Sequence, residues 1–406
     1  MNVPREYKRA AITEKQERSV LAGHPWIFGE EIVSCEGTPE NGELVDVVSR
    51  KGSYLGTGFY NAHSKIRVRL LSRNANDRFD EAFFCRRIKY AYEYRKTVLH
   101  ADNMDCFRLI FGEADQLPGL TADLFHDVLV VQILSYGLEV RKDVLFDAML
   151  RVLEENGIAV RGIYERNDVS VRRLEGLEES KGWYRTPSDD AAETEIVENG
   201  LRFSVDFGSG QKTGYFLDQK YNRLAVSHIA NGKRVLDCFT HTGSFALNAV
   251  RGGALHVTAV DISETAIETA KRNARLNGME DKIDFLVEDV FETLRRMEEE
   301  RKKFDFVILD PPAFTKSRKT IDAAMRGYRE INYRGMKLVQ RGGYFATCSC
   351  SHFAYDDAFR QMLTGAARDA GVNLRQVEAK KQAPDHPILW NVPETDYLKF
   401  YLFQVV

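Results

Sequence analysis

From about residue 200 onward, four apolar strands each end in an aspartate, and no other feature constrains the fold as much. RVLDCF (234–239), HVTAVDI (256–262), IDFLVED (283–289) and FDFVILD (304–310) carry Asp237, Asp261, Asp289 and Asp310 at or near their carboxyl ends. Helical patterns separate them; ETAIETAKRNARLNG follows the second strand, with Ser263 as a cap and Gly278 as a stop. Near-continuous hydrophobicity with helices between predicts a parallel sheet covered on both faces, an α/β fold. GGYFATCSC (342–350) is a fifth strand. NLRQVEAKKQ and YLKFYLFQVV, with no helix between them, predict a closing hairpin. Ligands of open parallel sheets bind at the carboxyl ends of the strands, where these aspartates stand.

The 406 residues predict two or three domains. Residues 1–73 read as a small β-rich domain, with Val45, Val47, Ile66, Val68 and Leu70 at period two. Gly52, Gly56 and Gly58 are expected to mark turns there. Residues 74–200 read as a central α+β domain, starting with the helix FDEAFFCRRIKYAYEYRKTVL, where Cys85 is expected to be buried. Residues 201–406 form the sheet domain. These segments carry net charges of +4 (1–96), −11 (97–200) and +4 (201–406). That layout is compatible with RNA contact by the outer segments; Lys65, Arg67, Arg69 and Arg73 could equally be ordinary surface. No apolar stretch approaches the roughly 20 residues of a membrane helix. Six cysteines in so long a chain point to a reducing cytoplasm.

The turn after the first strand, DCFTHTG, has one glycine where dinucleotide-binding folds have G-x-G-x-x-G. That disfavours a pyrophosphate cradle and a nicotinamide dehydrogenase. A cofactor with ribose and base but no phosphate fits better, namely S-adenosylmethionine. Gly243 is expected to let the backbone approach the ligand. Asp261, 24 residues after Asp237, is placed to accept from two ribose hydroxyls.

With VLDCFTHTG, VDIS and DPP as its first, second and fourth motifs, the C-terminal half resembles a class I methyltransferase, with a Rossmann-like seven-stranded sheet. The resemblance implies Asp237 near the methionine end, Asp261 at the ribose and Asp289 at the adenine amine. Phe239, Thr242, Gly243, Ile262 and Asp310 complete the implied cofactor set. LAGHPWIF (21–28), ADQLPGLTAD (114–123), YERNDVSVRRLEGL (164–177) and QKTGYFLDQKYNR (211–223) extend the likeness to nearly the whole chain. Together they resemble the bacterial large-subunit ribosomal RNA cytosine-5 methyltransferase family, which has an N-terminal PUA domain and a central α+β domain. In that family KTGYFLDQ packs beside the cofactor, which implies Lys212, Thr213, Phe216, Asp218 and Gln219 as site residues. The implied partner is large-subunit ribosomal RNA; the sequence leaves the oligomeric state open, with a homodimer as one option, and no membrane or metal is expected.

Cytosine C5 is too weak a nucleophile to take a methyl group unaided. A thiolate adding at C6 pushes electron density to C5, and an acid holding N3 or the amine completes the scheme. Free cysteine has a pKa of about 8.5, so the thiol needs a nearby positive charge or hydrogen bonds. Asp310, with Pro311 and Pro312 fixing the turn behind it, is placed to bond the edge of an extruded base. Phe314 is a candidate stacking surface and equally a packed loop aromatic.

Cys348 and Cys350 share a face of a regular strand, so the residues alone leave either as nucleophile. Cys348, Cys350 and His352 offer three ligands where structural zinc needs four, which disfavours a metal clip. A T-C-S motif in other RNA cytosine-5 methyltransferases would select Cys348. In the family this chain most resembles the S-C-S cysteine recurs, which implies Cys350, with Cys348 as a core or auxiliary thiol. Cys238 is expected to face the core. One rival is an exocyclic-amine methyltransferase of adenine or guanine, whose D/N-P-P-Y/F motif would need an aromatic where Ala313 stands. The other is a non-catalytic ribosome-assembly RNA-binding factor, against which the intact aspartates argue.

Overall fold

The computed structural model describes residues 5–185, 191–315 and 318–406, and the chain divides into two compact units. The first holds residues 1–196, 205–217 and 384–395; the second holds 197–204, 218–383 and 396–406.

Two sheets organise the first unit. A six-stranded sheet runs in the order Trp26–Phe28, Ile66–Ser72, Tyr54–Tyr60, Leu44–Val48, Lys8–Ile12 and Ile32–Cys35. Val45, Val47, Val68 and Leu70 turn inward to its core, as their alternation predicts. Gly52 sits in a turn at φ +82°, but Gly56 and Gly58 do not mark turns: both lie inside Tyr54–Tyr60. A Cβ on Gly58 would come within 2.1 Å of the Arg69 carbonyl oxygen, so the glycine permits close approach of the neighbouring strand. A second, five-stranded sheet orders Ser180–Tyr184, Gly162–Asn167, Val128–Ile133, Leu120–Phe125 and Cys106–Phe111. Helices Glu81–Val98 and Lys142–Glu155 belong to the same unit. Cys85 is half-buried rather than buried.

The second unit is built on seven strands: β1 (Arg234–Cys238), β2 (His256–Asp261), β3 (Ile283–Val287), β4 (Phe304–Leu309), β5 (Val339–Ser349), β6 (Leu374–Lys380) and β7 (Lys399–Val405). Its helices are α1 (Lys220–Ile229), α2 (Ser244–Arg251), α3 (Glu264–Leu276), α4 (Val290–Glu299), α5 (Ile321–Leu338) and α6 (Asp356–Ala370). The sheet order is β3-β2-β1-β4-β5-β7-β6, and β1 to β5 pair in parallel. β7 runs antiparallel to both β5 and β6. The two closing strands therefore pair as expected, although residues 381–398 make a long connection between them. Buried side chains from β1, β4, β5, β7, α4, α5 and α6 form one core, which explains the unbroken apolar runs. Ser263 caps α3 by accepting from the Ala266 amide, and Gly278 follows its end at φ +61°. The strand order reverses between β1 and β4, which makes their carboxyl ends the switch point where such sheets take ligands. Among the described residues, no helix is long and apolar enough to cross a membrane.

Candidate active site

The four aspartates stand at the carboxyl edge of the sheet in different environments. Asp237 is fully buried; Oδ2 accepts from the Thr240 hydroxyl at 2.6 Å, while Oδ1 has no partner. Burial, with the nearby Asp310 charge adding to it, pushes its carboxyl up to about 7. The loop it enters is strained, since Phe239 (φ +63°) and His241 (φ +51°) both take left-handed conformations. Thr242 Oγ1 is a second buried oxygen without a partner there. Gly243, at φ +79°, starts α2, and a Cβ on it would sit 3.0 Å from the Ala270 Cβ on α3. Backbone conformation and packing against α3 both require glycine there, in addition to the approach to a ligand that the sequence suggests.

Asp261 holds the loop from below: Oδ2 accepts from the His241 amide and Oδ1 from the Ser263 amide, both at 2.9 Å. Each carboxylate oxygen retains further acceptor capacity. Ile262 beside it is 68% exposed. Asp289 lies past the end of β3 as the N-cap of α4, with Oδ1 accepting from the Phe291 and Glu292 amides at 2.8 and 3.2 Å. Buried oxygens lacking donors at β1, a carboxylate at the end of β2, an exposed apolar side chain and a second carboxylate beyond β3 form an ordered row. They fit a ligand with an ammonium group, a ribose and a base with an exocyclic amine.

The register of β1, β4 and β5 brings the remaining chemistry together. Cys238 lies opposite Leu309, and Leu309 opposite Thr347, so Asp310 and Cys348 extend neighbouring strands to the same level. The Asp310 amide donates to the Cys238 carbonyl at 3.3 Å, and its Oδ1 accepts from Gln219 Nε2 at 2.9 Å. The Cys348 thiol is fully buried, with Asp310 and Gln219 as the polar groups that act on it. Burial, helped by the Asp218 charge, lifts the Asp310 carboxyl to about 6, and burial beside Asp310 raises the Cys348 thiol well above its ordinary value. A thiol so placed is a poor source of thiolate. Cys350 lies just past the end of β5, is only partly buried, and has its sulfur 4.0 Å from the Pro311 carbonyl oxygen. Pro311 is buried and Pro312 exposed. The Phe314 ring is half-buried against Tyr328 of α5, at 4.5 Å between centroids. Cys238 is fully buried in the core.

Asp218 and Gln219 belong to the second unit, where Asp218 Oδ2 accepts from the Tyr397 hydroxyl at 2.5 Å. Lys212, Thr213 and Phe216 belong to the first. There Thr213 donates to Asp123, which is paired with Arg108, and the Lys212 ammonium lies 4.9 Å from the centroid of the Phe216 ring. A cavity of about 750 Å³ opens elsewhere in the second unit, lined by Arg234, His256, Ile283 and Phe304 at the amino ends of the strands, away from the aspartates.

The residue sequence reasoning missed is Lys399, the first residue of β7 and only 4% exposed. Its Nζ donates to the Ser351 and Tyr397 carbonyls at 2.7 and 2.8 Å, beside Cys350. A lone lysine within the apolar run YLKFYLF was the available signal. Tyr328, whose hydroxyl bonds Ser349 and Ser351, carried no sequence signal.

Residues 108–404 match the family described as S-adenosylmethionine-dependent methyltransferase, and residues 11–73 match a PUA-like domain. The chain is 38% identical over 401 residues to "Ribosomal RNA large subunit methyltransferase I" of Klebsiella pneumoniae (strain 342), covering 98% of this chain and 99% of that one. The protein of the same name from Enterobacter sp. (strain 638) is 38% identical over 399 residues, with the same coverage. Among solved structures, a Streptococcus mutans protein described as a SAM-dependent methyltransferase has the same fold (TM-score 0.81, 19% identity, 98% of this chain and 100% of that one). So does a methyltransferase complexed with SAH (TM-score 0.82, 19% identity, the same coverage). The chain therefore belongs to the S-adenosylmethionine-dependent methyltransferase family and carries a PUA-like domain ahead of its catalytic sheet.

Proposed function

We propose that this enzyme methylates large-subunit ribosomal RNA in the cytoplasm, at C5 of a cytosine, through a covalent bond between Cys350 and C6. The RNA substrate rests on the two relatives above, and the PUA-like domain is the element we assign to RNA contact. The domain division 1–73, 74–200 and 201–406 belongs to this reading.

One observation carries the choice of atom: two thiols end the strand next to Asp310, one fully buried beside its carboxyl and one partly exposed beside Pro311. S-adenosylmethionine, held along Asp237, Asp261 and Asp289, supplies a methyl group on a positively charged sulfur. Cys350, as thiolate, bonds to C6. Asp310, with its carboxyl near 6, holds a proton at N3 and draws the electron pair of the opened C5–C6 double bond toward the ring. C5 bonds the methyl group as the methyl–sulfur bond breaks and S-adenosylhomocysteine leaves. The C5 proton then goes to solvent, N3 returns its proton to Asp310, the C5–C6 double bond re-forms as the S–C6 bond breaks, and Cys350 departs as thiolate. Cys348 keeps Asp310 oriented. An exocyclic-amine transfer needs none of these thiols.

RNA substituted with 5-fluorocytosine blocks loss of the C5 proton and should trap a protein–RNA adduct on the Cys350 peptide, absent in Cys350→Ala and retained in Cys348→Ala. Full methyl transfer by Cys350→Ala would overturn the mechanism.

A further inference from the structure

β7 runs antiparallel to β5 in a register that sets Lys399 opposite Ser349, one residue before Cys350. Two of the three Lys399 ammonium donors go to main-chain carbonyls, and the Ser351 bond grips the residue directly after the cysteine. Among the described residues no carboxylate pairs with Lys399. Asp396 is paired with Lys381, and Asp356 accepts from the Tyr401 hydroxyl at 2.6 Å. A buried ammonium without an anion is costly, and a thiolate at Cys350 would relieve that cost. On the opposite side, the Tyr328 hydroxyl of α5 bonds Ser351 Oγ at 2.8 Å and Ser349 Oγ at 3.1 Å. The cysteine is therefore flanked by two serines tied to a tyrosine, and the carbonyl of the second serine is tied to a lysine.

We propose that Lys399 is the positioning residue of the Cys350 nucleophile, holding residues 349–351 in place and stabilising the Cys350 thiolate. This rests on the reading that Cys350 attacks the base. The Cys350 proton leaves to solvent before attack; Lys399 keeps its own protons and acts as a fixed charge, not as a base. Burial pulls the Lys399 ammonium down to about 8, and Cys350 leads the groups that favour its charged form, ahead of Asp396 and Asp356, while Lys381 opposes it. Tyr328 from α5 and Cys348 from β5 also interact electrostatically with Cys350.

The test is the pH dependence of Cys350 alkylation by iodoacetamide in the full-length protein without cofactor or RNA, read on its peptide by mass. The wild-type midpoint should lie below the roughly 8.5 of free cysteine. Lys399→Gln keeps a donor for the Ser351 carbonyl and removes the charge. It should raise the midpoint by about one unit or more, slowing alkylation at pH 7 about tenfold. Lys399→Arg should restore the wild-type midpoint, and Tyr328→Phe should leave it in place. In methyl-transfer assays Lys399→Gln should lower kcat with KM for S-adenosylmethionine unchanged. A wild-type midpoint at or above that of free cysteine overturns the proposal even if Lys399→Gln fails to fold. An unchanged midpoint in folded Lys399→Gln, or an equal shift in Tyr328→Phe, overturns it too. None of these midpoints depends on transfer, so active Cys350→Ala would refute the nucleophile assignment separately.

Discussion

Asp237 should make the free enzyme less stable as pH rises, and Asp237→Asn should remove this dependence. Its carboxyl stands at about 7 in the folded chain against 3.8 as an ordinary carboxylate. The folded state therefore binds more protons than the unfolded state between about pH 4 and 7. That contribution to stability is complete below the unfolded pKa and is lost as pH rises through the folded one. At 1.36 kcal/mol per unit, a shift of about three units amounts to roughly 4 kcal/mol by pH 8, as an upper bound because Asp310 titrates nearby. Asparagine cannot ionise and can still accept from Thr240. The variant should match the wild type near pH 4 and exceed it by about 2–4 kcal/mol at pH 8. The three tryptophans, Trp26, Trp183 and Trp390, all lie in the first unit, so intrinsic fluorescence would miss the effect. Amide hydrogen exchange of the β1 peptide, comparing variant with wild type at each pH, reads it directly. The same change should weaken S-adenosylmethionine binding by about 2 kcal/mol, roughly thirtyfold, because the unpartnered Oδ1 no longer meets a donor as a charged acceptor. A stability difference that stays constant from pH 4 to 8 would refute the reasoning.

Two further substitutions separate roles that share one side chain. Asp289→Ala should lose the α4 cap, costing about 1 kcal/mol, and also cofactor affinity; Asp289→Ser should keep the cap and lose only affinity, measured by denaturation and calorimetry. Asp310→Asn should lower kcat by roughly 10²–10³-fold in steady-state assays on ribosomal RNA. A variant with normal kcat would remove Asp310 from the proton-holding role.

The cofactor edge was legible because an alternating β-α pattern needs only local sequence: apolar runs, a serine cap and a terminal carboxylate all sit within a few residues of each other. Other parts of the site depended on contacts between strands far apart in the chain. Gly58 looks like a turn residue until the Arg69 carbonyl is known to press against it. The packing of Gly243 against Ala270 of α3 likewise appears only in the fold.

The doublet Cys348–Cys350 shows the same limit. Sequence alone determined that two thiols end a buried strand near a row of aspartates, because burial and strand period are written in the residue order. It could not distinguish them, since their pKa values depend on what faces each sulfur. The registers of β4 with β5 and of β5 with β7 decided that, setting Cys348 against the Asp310 carboxyl and Lys399 opposite Ser349 beside Cys350. Electrostatics acts through space, and only the folded sheet sets Asp310 beside Cys348 and Lys399 beside the residue that follows Cys350.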